Sequence, residues 1–86
     1  MDHQAHSAVD AILNASSQEE VKFYVDDMIQ SMQQQLQDQR EISLFSEKVM
    51  SRLQLFSPFQ INSREWSNIK LAGILFNRVR QRYLVA

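Results

Sequence analysis

The sequence predicts an all-α protein, and three observations support this prediction. The 86 residues include only one glycine and one proline, although average proteins contain roughly 7% and 5% of them and the tight turns of β-sheets depend on such residues. Glutamine, a good helix former, occurs six times between residues 30 and 39. Apolar residues recur at spacings of three and four along most of the chain, which is the periodicity of amphipathic helices.

The length of the chain allows one domain, spanning residues 1–86. A domain of this size buries roughly 60–65% of the surface that its unfolded chain exposes, so its own core is limited. The chain has no cysteine, which excludes disulfides as a source of stability, yet 44% of its residues are hydrophobic. This excess of apolar residues over a small volume favours an oligomer or a complex with another protein.

A first short helix is expected at about residues 4–14. Its apolar face consists of Ala5, Ala8, Val9, Ile12 and Leu13. This face is only weakly apolar, so we expect the helix to fray or to dock only within an assembly.

A second helical stretch is expected at residues 18–56. Ser16 and Ser17 are each followed three residues later by a glutamate, and this capping-box pattern marks a helix start. The first apolar stripe of the stretch is Val21, Val25, Met28, Ile29, Met32 and Leu36. The second stripe is Ile42, Phe45, Val49, Leu53 and Phe56.

The two stripes are centred roughly 100° apart around a helix axis, which leaves two interpretations. One unbroken helix would be about 57 Å long and would need the first helix or another chain to cover it. The alternative is a break near residues 38–42, where Asp38 and Glu41 could cap a new start. We favour the unbroken helix because no glycine, proline or asparagine lies in this region.

The last helix is expected at residues 63–84. Ser57-Pro58 ends the preceding stretch, and Phe56 and Phe59 are expected to cover the end of the core. The start has Asn62 and Glu65 as a capping pair and Ile61 and Trp66 as a hydrophobic staple. A coiled-coil spacing connects Ile69, Ala72, Phe76, Val79, Tyr83 and Ala86. The expected architecture is an antiparallel helical hairpin or small bundle, with arms at 18–56 and 63–84 and the first helix packed across them.

Charge is divided unevenly along the chain. Residues 1–47 carry a net charge of −7, and residues 48–86 carry +6. We favour pairing between the two halves, in which the charges flank the helix contacts and help to set their register. The alternative is a basic C-terminal surface that binds a polyanion or an acidic partner.

The function expected from these features is that of a protein interaction or assembly module, such as an adaptor, a small chaperone or a subunit of a larger complex. Its partner would be a second copy, forming a dimer, or another helical protein. The candidate binding residues are Met28, Met32, Lys70, Leu71, Leu75, Arg78 and Arg82. The methionines fit either the core or an adaptable groove for a partner helix.

Nucleic-acid binding through Lys70, Arg78 and Arg82 is the alternative function. It is not favoured, because the chain has no run of basic residues and a net charge of −1. An apolar helix that lies on a membrane surface ranks third.

Catalysis and cofactor binding are not expected. The pairs Glu19-Glu20 and Asp26-Asp27 are adjacent, so their carboxylates point to different faces of a helix, and no glycine-rich loop could hold a phosphate. His3, His6 and Asp10 have a spacing that could bind a metal, but we expect them to be solvated. No signal peptide and no membrane span are expected, because the longest apolar run is six residues, and the expected location is cytoplasmic.

Overall fold

The computed structural model describes residues 2–35 and 38–84 of the chain, and the side chains of residues 4–35 and 38–82. These residues form four helices and no strand: α1 (Asp2–Asn14), α2 (Gln18–Gln34), α3 (Gln39–Leu53) and α4 (Ser63–Leu84). The predicted all-α fold and small helix bundle are confirmed. A coiled-coil seam stays a prediction, and Leu36 and Ala86 of the predicted stripes lie outside the described residues.

The preference for an unbroken helix over residues 18–56 is wrong. α2 ends at Gln34 and α3 begins at Gln39, and the longest dimension of the molecule is 37 Å, shorter than an unbroken helix of about 57 Å. The carboxylate of Asp38 caps α3 by accepting from the backbone N–H of Arg40 at 2.9 Å. Breaking the helix lets both apolar stripes face one core, although they are centred roughly 100° apart.

The predicted starts of α2 and α4 are confirmed. Ser17 caps α2, and its hydroxyl accepts from the backbone N–H of Glu20 at 3.3 Å. At α4, Asn62 Oδ1 accepts from the N–H of Glu65 at 2.8 Å, and Glu65 Oε1 accepts from the N–H of Asn62 at 3.0 Å. These reciprocal bonds satisfy two backbone donors that a helix start otherwise leaves without a partner.

The most extensive packing joins α3 and α4. Phe45 near the start of α3 meets Phe76 in the second half of α4, with 6.3 Å between ring centroids and 67° between ring planes. Leu53 at the end of α3 shares a groove with Ile69 near the start of α4, so the two helices run antiparallel. α4 also packs on α2 and α1, and α1 packs on α3. α4 is therefore the helix around which the bundle is built.

The core contains most of the predicted apolar stripes. The buried hydrophobic side chains are Ala5, Ala8, Val9, Ile12, Ala15, Val21, Val25, Ile29, Met32, Ile42, Phe45, Val49, Leu53, Ile69, Ala72, Phe76 and Val79. Small residues lie where helices approach closely: Ala5, Ala8 and Ala72 are fully buried, as is Ser46, whose hydroxyl donates to the Ile42 carbonyl at 2.9 Å. The core is thus closed by one copy of the chain.

α1 docks within the single chain, which corrects the expectation that it frays or waits for an assembly. Ile12 is fully buried, and the buried side-chain amide of Asn68 in α4 donates to the carbonyls of Ile12 and Ala15 at 3.1 and 2.9 Å. These bonds give a donor to the Ala15 carbonyl and a second donor to the Ile12 carbonyl, which also accepts from the N–H of Ala15 at 3.3 Å. The face of α1 is only weakly apolar, but its close packing and the hydrogen bonds from Asn68 of α4 hold the helix in place.

The expectation that Phe56 and Phe59 cover the end of the core holds for Phe56, which packs against it, and is wrong for Phe59. Phe59 is 98% exposed. It lies in a turn closed by the N–H of Gln60, which donates to the Ser57 carbonyl at 3.0 Å. The N–H of Phe59 also donates to the Ser57 hydroxyl at 3.3 Å. The turn at Pro58 therefore directs Phe59 away from the core.

Candidate protein interaction site

The side chains predicted to bind a partner lie on α2 and α4 and differ in exposure. They are Met28, Met32, Lys70, Leu71, Leu75, Arg78 and Arg82. Met32 is buried in the core, and Met28, Leu71 and Leu75 are half-buried against it. The three basic side chains are exposed. The four apolar candidates therefore all contribute to the bundle itself, and a contact between any of the seven and a partner stays a prediction.

Met28 and Met32 meet at a cavity of about 240 Å³ between α1, α2 and α3, where Tyr24 and Phe45 add aromatic walls. All of its described lining side chains are neutral. Burial raises the pKa of Tyr24 above its ordinary value of 10.0, and the nearby carboxylate of Asp27 raises it further. The phenol is therefore a neutral hydrogen-bonding group at physiological pH. The cavity therefore offers apolar contact and polar edges.

The exposed basic side chains of α4 do not form one compact cluster. Arg78 and Arg82 lie one helical turn apart, and Ile74, which is 53% exposed, lies one turn before Arg78 on the same face. Lys70 lines the groove between α3 and α4, beside Trp66, and lies one turn before Ile74. A joint role of Lys70 with the two arginines stays a prediction.

The predicted pairing between the acidic and basic halves is represented by Glu47 of α3 and Arg80 of α4. Glu47 Oε1 lies 3.9 Å from Arg80 Nη1, and Arg80 Nη2 donates to Asn77 Oδ1 at 2.9 Å. Both partners of the ion pair are substantially exposed, so water screens the interaction and it adds little stability.

The outer face of α2 carries an exposed aromatic ring among acidic side chains. We call this surface the acidic face, and it consists of Glu19, Lys22, Phe23, Asp26, Asp27 and Gln30. Phe23 is 79% exposed and lies about 180° around the helix from the buried stripe. Its ring cannot reach the core of its own bundle, so it is available to another molecule.

The outer face of α3 carries two exposed leucines and more basic than acidic side chains. We call this surface the leucine face, and it consists of Leu44, Glu47, Lys48, Ser51, Arg52 and Leu55. Leu44 is 45% exposed and Leu55 is 79% exposed. Leu44 lies within α3 and Leu55 lies two residues beyond its end, and a shallow open depression of about 580 Å³ runs along the face. The small side chain of Ser51 lies between the two leucines.

Phe23, Leu44, Leu55 and Phe59 were not among the residues predicted to bind a partner. For Phe23, Leu44 and Leu55, the periodicity of the sequence could have indicated exposure. An apolar residue on the side of a helix opposite its buried stripe does not face the core. On α3, the spacing of four and seven residues from Ser51 to Leu55 and Leu44 places all three on one face. The exposure of Phe59 depends on the turn geometry and has no comparable periodic signal.

His6 Nε2 lies 3.5 Å from Asp10 Oδ2 on an exposed surface. Within the described part of the chain, no three histidine or acidic side chains are placed to hold a metal ion together. No helix in this part combines the length and the apolarity that are needed to cross a bilayer.

The acidic face, the leucine face and Phe59 therefore form the candidate site, a set of exposed apolar groups on a well-packed scaffold. Comparison with known proteins gives this site no precedent: no family model, no curated protein and no solved structure matches the chain.

Proposed function

We propose that this chain is a non-enzymatic protein interaction module that binds through exposed apolar side chains on the outer surfaces of its helices. The observation that carries this proposal is the exposure of Phe23, Leu55 and Phe59, each at least 79% accessible, on a bundle whose core is already closed. Large apolar groups on the surface of a folded domain lose contact with water when a partner covers them, which favours association.

The setting of these side chains supports recognition rather than chance exposure. Phe23 and Leu55 lie on the outer faces of well-packed helices or at their ends, and Phe59 is held by a hydrogen-bonded turn. Such side chains lose little conformational freedom when they bind, so more of the contact energy contributes to affinity. Aromatic residues are also enriched at the energetic centres of protein interfaces.

Site-specific photo-crosslinking tests this proposal. A benzophenone side chain replaces Phe23, Leu55 or Phe59 in turn, and the chain is expressed in the cells that naturally produce it. Covalent adducts with protein are expected at these positions in far higher yield than at exposed Gln81, the control site on α4. Equal yields at all four positions would contradict a specific interaction surface.

Nucleic-acid binding is the second candidate function, and the exposure of Lys70, Arg78 and Arg82 favours it. Phosphate contacts release bound counterions, so a genuine complex with duplex or single-stranded DNA must weaken steeply as salt increases. Titration at two salt concentrations measures this dependence, with Arg78→Glu/Arg82→Glu as the variant expected to lose binding. Absence of binding at low salt would eliminate this function.

A further inference from the structure

The acidic face and the leucine face both carry exposed apolar side chains. The acidic face projects one large ring, Phe23, from the middle of a helix. The leucine face has Leu44 and Leu55, with the small Ser51 between them in the sequence. Contact between the Phe23 ring and either leucine would remove apolar surface of both copies from water.

The two faces also complement each other in charge. Glu19, Asp26 and Asp27 surround Phe23, with Lys22 as the single cation, whereas Lys48 and Arg52 lie between the leucines, with Glu47 as the single anion. Three acids and one base give the acidic face a net charge of −2, and two bases and one acid give the leucine face a net charge of +1. Complementary charges of this kind align partners and disfavour wrong orientations.

From this complementarity we propose that the partner of each face is a second copy of this chain: the acidic face of one copy docks on the leucine face of the next. The inference rests on the proposed function and names its partner. Both faces lie opposite the buried stripes of their own helices, and α2 and α3 each pack on α4. The contact joins two different surfaces of the chain, so a copy engaged through its acidic face keeps its own leucine face for a further copy.

This arrangement makes the contact head-to-tail. One copy uses its acidic face and its neighbour uses the leucine face, which leaves one face of each kind open at the ends of every pair. Further copies add to these open faces, so the mean size of the assembly rises with protein concentration. A dimer that closes on itself would instead stop at two copies.

Charge reversal tests the proposal with the full-length chain in sedimentation velocity over a wide range of concentrations. Asp26→Arg/Asp27→Arg makes both faces of a copy basic, and Lys48→Glu/Arg52→Glu makes both faces acidic. Each variant alone is expected to associate at least about tenfold more weakly than the natural chain, because like charges now meet. Mixing the two variants is expected to restore association, since every contact between unlike copies again pairs opposite charges.

Restoration in the mixture also shows that both variants fold. Arg64→Glu, a charge reversal at an exposed position of α4 outside both faces, is the control and is expected to associate like the natural chain. Loss of association in this control, or no restoration in the mixture, would overturn the assignment to α2 and α3. A natural chain that stays monomeric at every concentration would also overturn it. In that case, crosslinks from Phe23, Leu55 or Phe59 to a different protein would leave the proposed function standing, and their absence at all three positions would remove both.

Discussion

Asn68 connects the first helix to the last, although 56 and 53 residues separate it from Ile12 and Ala15. Its amide is almost fully buried and gives both of its N–H donors to carbonyls at the end of α1. A buried carbonyl without a hydrogen-bond donor has lost its bonds to water without replacement, which costs free energy of folding. A single exposed hydrogen bond contributes little to that free energy. One polar side chain therefore has a larger effect on the bundle than the ion pair between Glu47 and Arg80.

Replacing Asn68 should destabilise the chain. We expect Asn68→Ala to lower the free energy of unfolding by about 1–3 kcal/mol, because the buried Ala15 carbonyl loses the Asn68 donor and the Ile12 carbonyl keeps only the N–H of Ala15. Denaturant unfolding followed by circular dichroism measures this loss, and hydrogen exchange should show faster exchange in α1. Ser67→Ala, at the exposed neighbouring position, is the control and should change stability little. An Asn68→Ala variant as stable as the natural chain would show that the amide does not hold α1.

At the scale of the helices, the break between α2 and α3 depends on the cap at Asp38. We expect Asp38→Ala to lower the free energy of unfolding by about 0.5–2 kcal/mol, since the first turn of α3 loses its acceptor. Asp38→Asn keeps a side-chain oxygen and should retain most of the stability. Thermal unfolding compares the three chains. If Asp38→Asn and Asp38→Ala lose the same stability, the charge of Asp38 and not its hydrogen bond to the helix start stabilises α3.

The start of α2 should make stability depend on pH. Hydrogen bonds from the side chain and then the backbone of Ser16 hold the pKa of Glu20 below its ordinary value of 4.5. The ionised carboxylate therefore stabilises the folded state above about pH 4.5, and this contribution is lost as the pH falls towards the lower folded-state pKa. Glu20→Gln should be less stable than the natural chain at neutral pH, and the difference should disappear in acid.

Unfolding curves of both chains from neutral to acidic pH measure this dependence. Glu19→Gln removes a charge from the same helical turn without removing an acceptor from Ser16, and it serves as the control. A difference between Glu20→Gln and the natural chain that stays constant with pH would contradict the role of the carboxylate.

Helix existence and most helix boundaries could be predicted from the sequence because they depend on local chemistry. The capping pair Asn62 and Glu65 fixed the start of α4, and Ser17 fixed that of α2. The break before Asp38 was considered but not favoured, because the glutamine-rich region favours helix locally. The break is stabilised by the burial of both apolar stripes in one core. The offset of the stripes was visible, but its consequence depends on packing between distant residues.

The candidate site was less predictable than the fold. Periodicity identified Met28, Met32, Leu71 and Leu75 as apolar residues on helices, but these residues pack within the bundle. Which apolar residues remain for a partner depends on how many sides of each helix its neighbours cover. The number of covered sides depends on how the four helices are arranged in space. The apolar pattern of a single helix does not specify that arrangement.

At the scale of the whole molecule, α1 is an integral part of the bundle. We expect Ile12→Ala to lower the free energy of unfolding by about 2–5 kcal/mol, because Ile12 is fully buried where α1 meets the other helices. Ile74→Ala removes the same atoms from a side chain that is 53% exposed and should cost much less. Denaturant unfolding of both variants gives the comparison. Equal losses would mean that α1 does not complete the core.

The contact between Asn68 and α1 also has a consequence for the order in which the chain folds during synthesis. The segment that forms α1 is synthesised before the other three helices, but the side chain that caps its last turn belongs to α4, which is synthesised after them. α3 and α4 lie close together in sequence and can form their hairpin through short loop closure. We therefore expect the first helix to be among the last to reach its final place, after α4 has formed.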